Sequence, residues 1–287
     1  MYTQLQNRGS DHPPVTLSTL AQMRANGGKI ACLTAYDASF AALLDAADVD
    51  VVLVGDSVGM VVQGHDTTVP VTMDQMVYHS KAVSRGLQRA FLMTDLPFMS
   101  YASKEQALTN SVRLMQEGGA RMVKLESGGS QIEIVEFLAR HDIAVCAHLG
   151  LKPQSVHKTG GFRVQGRDQQ AAERMVADAR ALEAAGADLL LLECIPSSLG
   201  REIRDAVHVP VIGIGAGPHV DGQILVLYDV LDITSGRKPR FVRNFMQGAS
   251  SCADAVMRYV DAVRSGAYPA PEHEFGAPVT LPQTASR

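Results

Sequence analysis

The sequence predicts a single (β/α)8 barrel, an α/β fold in which parallel strands alternate with helices around one core. Two observations predict it: short apolar segments alternate with amphipathic stretches about eight times, and most apolar segments end in a polar residue. The length of 287 residues suits one large barrel or two ordinary domains, and no proline- or glycine-rich linker divides the interior. We therefore expect one domain over residues 15–268, although periodicity alone also allows a doubly wound open sheet.

The strands are predicted from short segments rich in Val, Leu, Ile and Ala that end at Gly, Asp, Glu, Ser or Pro. They are Ile30–Ala35, Val51–Gly55, Phe91–Asp95, Met122–Glu126, Ala144–His148, Leu189–Glu193 and Val211–Gly215. The eighth strand–helix unit has the weakest pattern, and we place it within Ile224–Phe245.

Amphipathic stretches between the strands predict the helices of the barrel. Examples are Ser39–Ala47, Met73–Arg85, Lys104–Glu117, Gln131–Arg140 and Ala171–Ala185. A last helix is predicted over Cys252–Arg264, and Leu17–Ala25 is predicted to form an extra helix ahead of the first strand. Residues 1–14 and 269–287 are polar or rich in proline, and we expect a flexible N-terminal tail and a partly disordered C-terminal tail.

Composition excludes several classes of partner. The formal net charge is −4 and there is no block of Lys and Arg, so neither nucleic acid nor an anionic membrane is an expected partner. The four cysteines have neither CxxC nor metal-ligand spacing, which favours buried thiols in a reducing compartment over disulfides or zinc. No segment has the length and apolarity of a membrane span or signal peptide, so we expect a cytoplasmic protein.

In each of five successive predicted strands, the alternate residues that face inward form a row of apolar side chains that ends in an ionisable one. Because residues two apart share a face of a strand, alternate apolar side chains lead up to each of them, as Val52 and Val54 lead to Asp56. The row-ending residues are Asp56, Asp95, Glu126 (preceded in its row by Lys124), His148 and Glu193. In a closed barrel these residues meet at the carboxyl-end mouth, where barrel enzymes have their active sites.

The acids at this mouth predict a site for a hard divalent cation. Carboxylates packed together raise one another's pKa, and one lysine cannot compensate four of them. Asp56, Asp95 and Glu126 offer oxygen ligands without nearby thiolates, which favours Mg²⁺ or Mn²⁺ over Zn²⁺. Lys124 supports this interpretation, because a lysine on the inner face of a barrel needs an anion beside it. For any one acid, the alternative is that it caps the helix that follows.

Two further features concern the mouth. Residues 160–167 form a polar, glycine-rich segment after the fifth strand that is long enough to be a lid. His148 is the histidine that the pattern places at the mouth, and we expect it to make a supporting polar contact.

Several segments share an unusual combination of motifs. They are TAYD (34–37), VGDSVGMVVQGHDTT (54–68), DLPF (95–98), VKLE (123–126), HLGLKPQS (148–155), GGFRVQGR (160–167), LLLLECIP (189–196), GIGAG (213–217) and DGQILV (221–226). Together they resemble the ketopantoate hydroxymethyltransferase family, in order and without large gaps. The sequence departs from the family pattern at Ser127, and at Tyr228 and Asp232, positions that concern loop shape and folate or subunit contacts and not the proposed ligands.

The resemblance implies a reaction and a set of site residues. Members of the family transfer a one-carbon unit from 5,10-methylenetetrahydrofolate to 3-methyl-2-oxobutanoate, in pantothenate and coenzyme A biosynthesis, and form large homo-oligomers, often decamers. The implied residues are Asp56, Asp95 and Glu126 for Mg²⁺ (with Mn²⁺ or Co²⁺ as substitutes), Asp56, Ser57, Asp95 and Lys124 for the keto acid, and Glu193 as the catalytic base. The apolar surroundings of Glu193 favour a raised pKa, which suits a base.

Two other functions stay open at this point. The strand-end acids also permit a metal-dependent C–C lyase or mutase acting on another α-keto acid, although the chain lacks a KKCGH-type cysteine motif. The third reading is a barrel retained only as a ligand-binding module, for which loss of a ligand or of the base would be expected. Dependence on folate separates the transferase from the other two.

Overall fold

The chain folds into one closed parallel barrel, in a computed structural model that describes residues 13–234, 236 and 238–276. Its strands are β1 Ile30–Thr34, β2 Val51–Val54, β3 Phe91–Asp95, β4 Met122–Glu126, β5 Val145–Gly150, β6 Leu189–Glu193, β7 Val211–Ile214 and β8 Gly222–Leu225. Every strand pairs in parallel with its neighbours in sequence, and β8 pairs with β1. The predicted (β/α)8 barrel is therefore confirmed, and the open sheet is excluded because β1 has partners on both sides.

Helices surround the barrel between its strands. They are α1 Leu17–Ala25, α2 Ala38–Ala46, α3 Val58–Val61, α4 Met73–Ser84, α5 Lys104–Gln116, α6 Ile132–Ala139, α7 Val156–Thr159, α8 Gln169–Ala184, α9 Ser197–Ala206, α10 Leu227–Val230 and α11 Cys252–Arg264. The predicted extra helix α1 and the last helix α11 have the predicted bounds. Residues 1–12 and 277–287, most of the two predicted tails, lie outside the described residues.

Two apolar layers hold the barrel together. The inner layer fills the barrel with alternate strand residues such as Cys32, Leu53 and Met93, and the outer layer packs the opposite strand faces against the helices. Helix α1 contributes Leu20, which is fully buried, to the inner layer. Among the described residues, apolar packing with α1 therefore closes the amino-terminal end of the barrel, and the large cavity lies at the carboxyl-terminal end.

The eighth strand begins earlier than predicted. It starts at Gly222, two residues ahead of the predicted interval. This position requires a residue without a side chain, since a Cβ at Gly222 would lie 2.4 Å from the carbonyl oxygen of Ile30. Its next residue, Gln223, is polar and donates from Nε2 to the carbonyl oxygen of Gly217 over 3.0 Å. A glycine and a buried amide hide this strand from a search for apolar segments. No helix of the described residues is long and apolar enough to cross a membrane.

Candidate active site

Four of the five predicted rows point into the barrel as expected. In β3, Phe91 and Met93 lie in the inner layer and lead to Asp95, which lines the mouth. The same alternation places Lys124 and Glu126 of β4, His148 of β5 and Glu193 of β6 on the wall of one cavity. The inward row is thus a reliable guide wherever the strand is regular up to its ionisable residue.

The row predicted for the second strand is wrong, although its acid does reach the mouth. Val52 and Val54 belong to the outer layer, and Val51 and Leu53 face inward instead. Strand β2 ends at Val54, so Asp56 lies beyond it in the turn that leads into α3. The backbone N–H of Asp56 donates to Asp95 Oδ2 over 3.0 Å, and this bond fixes the turn over the end of β3.

Lys124 and Asp95 form the centre of the site. Lys124 Nζ donates to Asp95 Oδ1 over 2.5 Å, and both residues are buried. Burial lowers the pKa of Lys124, but the neighbouring Asp95 and Asp56 outweigh burial and raise it above its usual value. The ammonium therefore stays charged, as a fixed positive charge inside the mouth.

Gln154 joins the two other acids and was given no role by the sequence. Its side-chain Nε2 donates to Asp56 Oδ2 over 2.8 Å and to the carbonyl oxygen of Leu96 over 3.0 Å. Its backbone N–H donates to Glu126 Oε1 over 2.8 Å, and Tyr101 donates its hydroxyl proton to Gln154 Oε1 over 2.6 Å. Through its side chain and its backbone N–H, Gln154 therefore holds the acid of the β2 turn and the acid of β4 in fixed positions.

Burial and mutual repulsion make these acids weak ones. Burial, reinforced by Asp95, raises the pKa of Asp56 to about 7, with Lys124 only partly opposing the shift. Burial also raises the pKa of Glu126 to about 8, against the hydrogen bond from Gln154. Ionisation of these two carboxyl groups is thus disfavoured at this side of the mouth.

Glu193 and His148 face each other at the border of the acid cluster. The Nε2 atom of His148 lies 3.3 Å from Glu193 Oε2, but the contact is poorly aligned, and neither ring nitrogen has a hydrogen-bond partner among the described residues. Burial, with Lys124 nearby, lowers the pKa of His148 well below its usual value, so the ring is neutral. Burial raises the pKa of Glu193 to about 8.

Ser57 lies beside this cluster and is oriented by an aromatic hydroxyl. The Tyr36 hydroxyl and the Ser57 hydroxyl are 2.8 Å apart, and Ser57 also lines the cavity. The helix-cap alternative for the acids is wrong: Ser103 caps α5, Pro196 precedes α9, and no side chain caps α3. The structure thus leaves these acids facing the cavity.

The acid cluster suits a hard cation in its chemistry but does not form a complete metal site. No three His, Cys, Asp or Glu side chains of the described chain are grouped closely enough to hold a metal ion by themselves. The donor atoms are nevertheless carboxylate oxygens, and a divalent cation would relieve the repulsion that helps to raise the pKa of Asp56 and Glu126. Oxygen atoms of a ligand or of water would have to complete such a site.

A closed barrel whose carboxyl-end mouth gathers buried acids around a lysine has the construction of a barrel enzyme. The sequence model of ketopantoate hydroxymethyltransferase matches residues 14–271. The chain is 62% identical over 263 residues to 3-methyl-2-oxobutanoate hydroxymethyltransferase of Alkalilimnicola ehrlichii, covering 92% of this chain and 95% of that one. Identity to the protein of the same name from Nitrosococcus oceani is 57% over 255 residues, 89% and 97% of the two chains. The chain belongs to the ketopantoate hydroxymethyltransferase family.

Solved structures with the same fold are much more distant in sequence. A 2,3-dimethylmalate lyase is 19% identical with a TM-score of 0.55, over 74% of this chain and 81% of that one. A phosphonopyruvate hydrolase is 13% identical with a TM-score of 0.56, over 74% and 80%. These likenesses support the barrel fold.

Proposed function

We propose that the protein transfers a hydroxymethyl group to 3-methyl-2-oxobutanoate and so forms ketopantoate for pantothenate biosynthesis. Family membership supports the choice of reaction. The observation that carries the chemistry is the position of Glu193, a partly buried carboxyl group with a raised pKa, on the same cavity wall as the Lys124–Asp95 pair. A base beside a fixed positive charge is what removal of a proton next to a keto group requires.

The keto acid lies in the acid-lined side of the mouth in this proposal. Lys124 supplies the positive charge that stabilises a developing oxyanion at C2. Ser57, held by Tyr36, offers a hydrogen bond to the same ligand. Asp95 holds the ammonium in place, since its Oδ1 atom accepts from Lys124 Nζ.

Mg²⁺ is proposed as the cation of this site, with Mn²⁺ or Co²⁺ as substitutes. Asp56, Asp95 and Glu126 would hold it, and the keto acid would supply further oxygens. A phosphonopyruvate hydrolase of the same fold is known in complex with oxalate and Mg²⁺, and oxalate has the two adjacent oxygens that an α-keto acid also presents. When bound, the cation polarises the keto oxygen and lowers the cost of forming the enolate.

Glu193 takes the proton from C3 and leaves an enolate. His148 is neutral, so it does not compete as a charged partner, and its Nε2 atom lies 3.3 Å from Glu193 Oε2. The C3 carbon then forms a bond to the one-carbon unit of 5,10-methylenetetrahydrofolate. Both carbon–nitrogen bonds that hold the one-carbon unit to N5 and N10 of the folate break, and water supplies the hydroxyl oxygen. The proton taken by Glu193 and one proton of that water pass to the two nitrogens, and tetrahydrofolate leaves.

Three properties of the family are proposed together with the reaction. We propose folate as the one-carbon donor, a homo-oligomer that is a decamer by family resemblance, and a place in the cytoplasm. A metal-dependent lyase or mutase acting on another keto acid is the alternative reaction. Cys146 and Cys194, which lie near the mouth, are buried thiols whose pKa is raised by burial, so neither suits the role of a lyase nucleophile.

The test follows the C3 proton of 3-methyl-2-oxobutanoate in D2O by NMR, with and without Mg²⁺, before and after methylenetetrahydrofolate is added. Metal-dependent exchange followed by ketopantoate is the expected result. Glu193→Gln should retain keto-acid binding and lose exchange by about 10²–10⁴-fold. Glu202→Gln, an exposed carboxyl change on α9, is the matched control. Absence of both exchange and product in folded, metal-loaded protein would overturn the transferase assignment.

A further inference from the structure

The cavity at the mouth is larger than a branched keto acid requires. Its volume of about 840 Å³ lies in the range of roughly 300–1,000 Å³ that is typical for drug-sized ligands. The charged groups of the proposed reaction occupy one side of it, following β2, β3 and β4, and Glu193 on β6 lies at the border. The side formed by β7 and β8 is left for a second ligand, and we call it the second chamber.

The second chamber is apolar and aromatic. Strand β7 contributes Ile214 and the eighth strand contributes Ile224, at positions where strands β3 to β6 carry ionisable groups. Phe241 and Phe275 lie above them, so close to the backbone that a Cβ at Gly215 would be 2.7 Å and 3.0 Å from their rings. Flat apolar walls of this kind suit a fused heteroaromatic ring.

One carboxyl group faces this chamber. Asp229 of α10 is 7% exposed and, among the described residues, is the only acid on the cavity wall outside the acid cluster and Glu193. Burial raises its pKa, and Thr234 and Lys238 oppose the shift. A carboxyl group accepts two hydrogen bonds side by side, and the amino-pyrimidine edge of a pterin donates two in the same arrangement.

Two arginines lie at the rim of the second chamber. Arg163 belongs to the 160–167 loop, and Arg240 lies ten residues beyond the end of α10; both line the cavity and are exposed. Within the part of the chain that the structure describes, neither pairs with a carboxylate, and Arg240 Nε donates only to the carbonyl oxygen of Glu272 over 2.9 Å. Lys238 differs from them, because it pairs with Asp232.

We propose that the second chamber binds the folate donor, with Asp229 and the phenylalanine rings holding the pterin and Arg163 and Arg240 holding the glutamate carboxylates. This inference rests on the proposed function and assigns residues to its second substrate. The order from apolar interior to basic rim matches the order of the parts of a folate, whose ring is flat and whose far end is anionic. Arg163 and Arg240 also keep this anion away from the acid cluster, where it would be repelled.

The 160–167 loop is fixed directly beside the proposed base. The backbone N–H of Gln165 donates to the carbonyl oxygen of Cys194 over 2.9 Å, and Cys194 adopts a left-handed backbone conformation immediately after Glu193. A left-handed conformation is rare for a residue with a side chain and persists where the surrounding structure enforces it. The loop that carries Arg163 is therefore held against the segment that carries the proposed base.

The test compares the binding of tetrahydrofolate with that of tetrahydropteroate, which lacks the glutamate, by calorimetry in the presence of Mg²⁺. The double variant Arg163→Ala, Arg240→Ala should weaken the binding of tetrahydrofolate roughly tenfold, which is the effect expected from the loss of two exposed ion pairs. It should weaken the binding of tetrahydropteroate less than about twofold. Arg167→Ala is the matched control, since Arg167 is exposed on the same loop but does not line the cavity, and it should change neither affinity. Circular dichroism checks that each variant is folded.

Asp229→Asn tests the pterin end and should weaken both ligands by the same factor. The inference is overturned if the arginine variant weakens both ligands equally or neither, or if Asp229→Asn changes neither affinity. Exchange of the C3 proton in the wild-type protein, with ketopantoate formed after methylenetetrahydrofolate is added, tests the proposed function separately from this inference. If exchange and product are present while the affinity pattern is absent, this inference fails and the proposed function stands.

Discussion

The protonation state of Glu193 determines the pH at which the proposed reaction can begin. Burial raises the pKa of this carboxyl group to about 8, and Lys124 only partly opposes the shift. A base must be ionised to accept a proton, so we expect kcat/KM for C3 exchange to rise between about pH 6 and about pH 9, with a midpoint near 8. Exchange rates measured in buffered D2O give this profile, and a flat profile would remove Glu193 from the role of base.

Gln154 should be as important to the site as the acids that it holds. Gln154→Ala removes the amide donor to Asp56, and we expect the free energy of unfolding to fall by about 1.5–3 kcal/mol, the contribution of a hydrogen bond to a charged group. The affinity for the keto acid should fall about tenfold, because a carboxylate at the site loses its orientation. Urea unfolding and calorimetry measure the two effects.

Gln169→Ala is the control for this change. Gln169 is exposed on α8 and bonds only to Glu173 within one helix, so its loss should cost less than about 0.5 kcal/mol. Equal effects of the two variants would mean that Gln154 has no special part in the site.

The acids of the site could be predicted from the sequence one by one, but the turn and the hydrogen bonds that hold them together could not. Asp95, Glu126 and Glu193 are the last residues of regular strands, so alternation alone places them in the mouth. Asp56 reaches the mouth through a turn after β2, which alternation does not describe. Gln154 comes from a short helical turn after β5, and a glutamine in a loop carries no pattern that distinguishes it from a surface residue.

Contact between neighbouring strands makes Gly150 a sensitive point of the barrel. This residue ends β5 with a φ of +96°, and a Cβ on it would lie 2.2 Å from the carbonyl oxygen of Glu193. We expect Gly150→Ala to lower the free energy of unfolding by more than about 3 kcal/mol, since backbone strain of about 1–3 kcal/mol adds to the collision with β6. C3 exchange should fall as well, because the strand that carries the base is displaced.

Gly160→Ala separates these two causes. Gly160 also has a positive φ, +70°, but a Cβ there meets no atom within 4 Å. Only the strain of the left-handed conformation remains, so the expected loss is about 1 kcal/mol with C3 exchange preserved. Comparable losses in both variants would show that the contact between β5 and β6 is not what matters.

The elements that escaped prediction share a physical reason. The eighth strand, Gly222–Leu225, contains a glycine and a buried glutamine in place of a continuous apolar run. The short helices α3, α7 and α10 have four residues each, which is too short for an amphipathic period to show. Helix α4, with its Thr72 capping box, is long enough and matched its prediction to within a residue.

The order of the elements was predictable for the whole molecule because a barrel repeats one local unit. Each strand pairs with the next in sequence, so local patterns determine most of the topology. Closure of the sheet between β1 and β8 is different, since it joins segments about 190 residues apart and no local pattern reports it. The division of the mouth into an acidic side and an apolar chamber follows from that closure and became visible only in the structure.

The charge of the mouth should make the stability of the whole protein depend on pH and Mg²⁺ together. Asp56, Glu126 and Glu193 have pKa values raised to about 7, 8 and 8, above those of the unfolded chain. A raised pKa contributes stability that is complete below the unfolded value, near 4, and is lost as the pH rises through the folded value. Without a divalent cation, we expect Tm to fall by roughly 5–10 °C between about pH 6 and about pH 8.5, as a loss of a few kcal/mol implies.

Mg²⁺ should reverse this loss, because the cation binds ionised carboxylates and releases their protons. The rise in Tm on adding Mg²⁺ should therefore be larger at the higher pH, as calorimetric scans with EDTA and with Mg²⁺ can measure. The double variant Asp56→Asn, Asp95→Asn should respond to Mg²⁺ at neither pH, since it lacks two of the proposed ligands. An equal response of the wild type at both pH values would mean that the cation does not bind at these carboxylates.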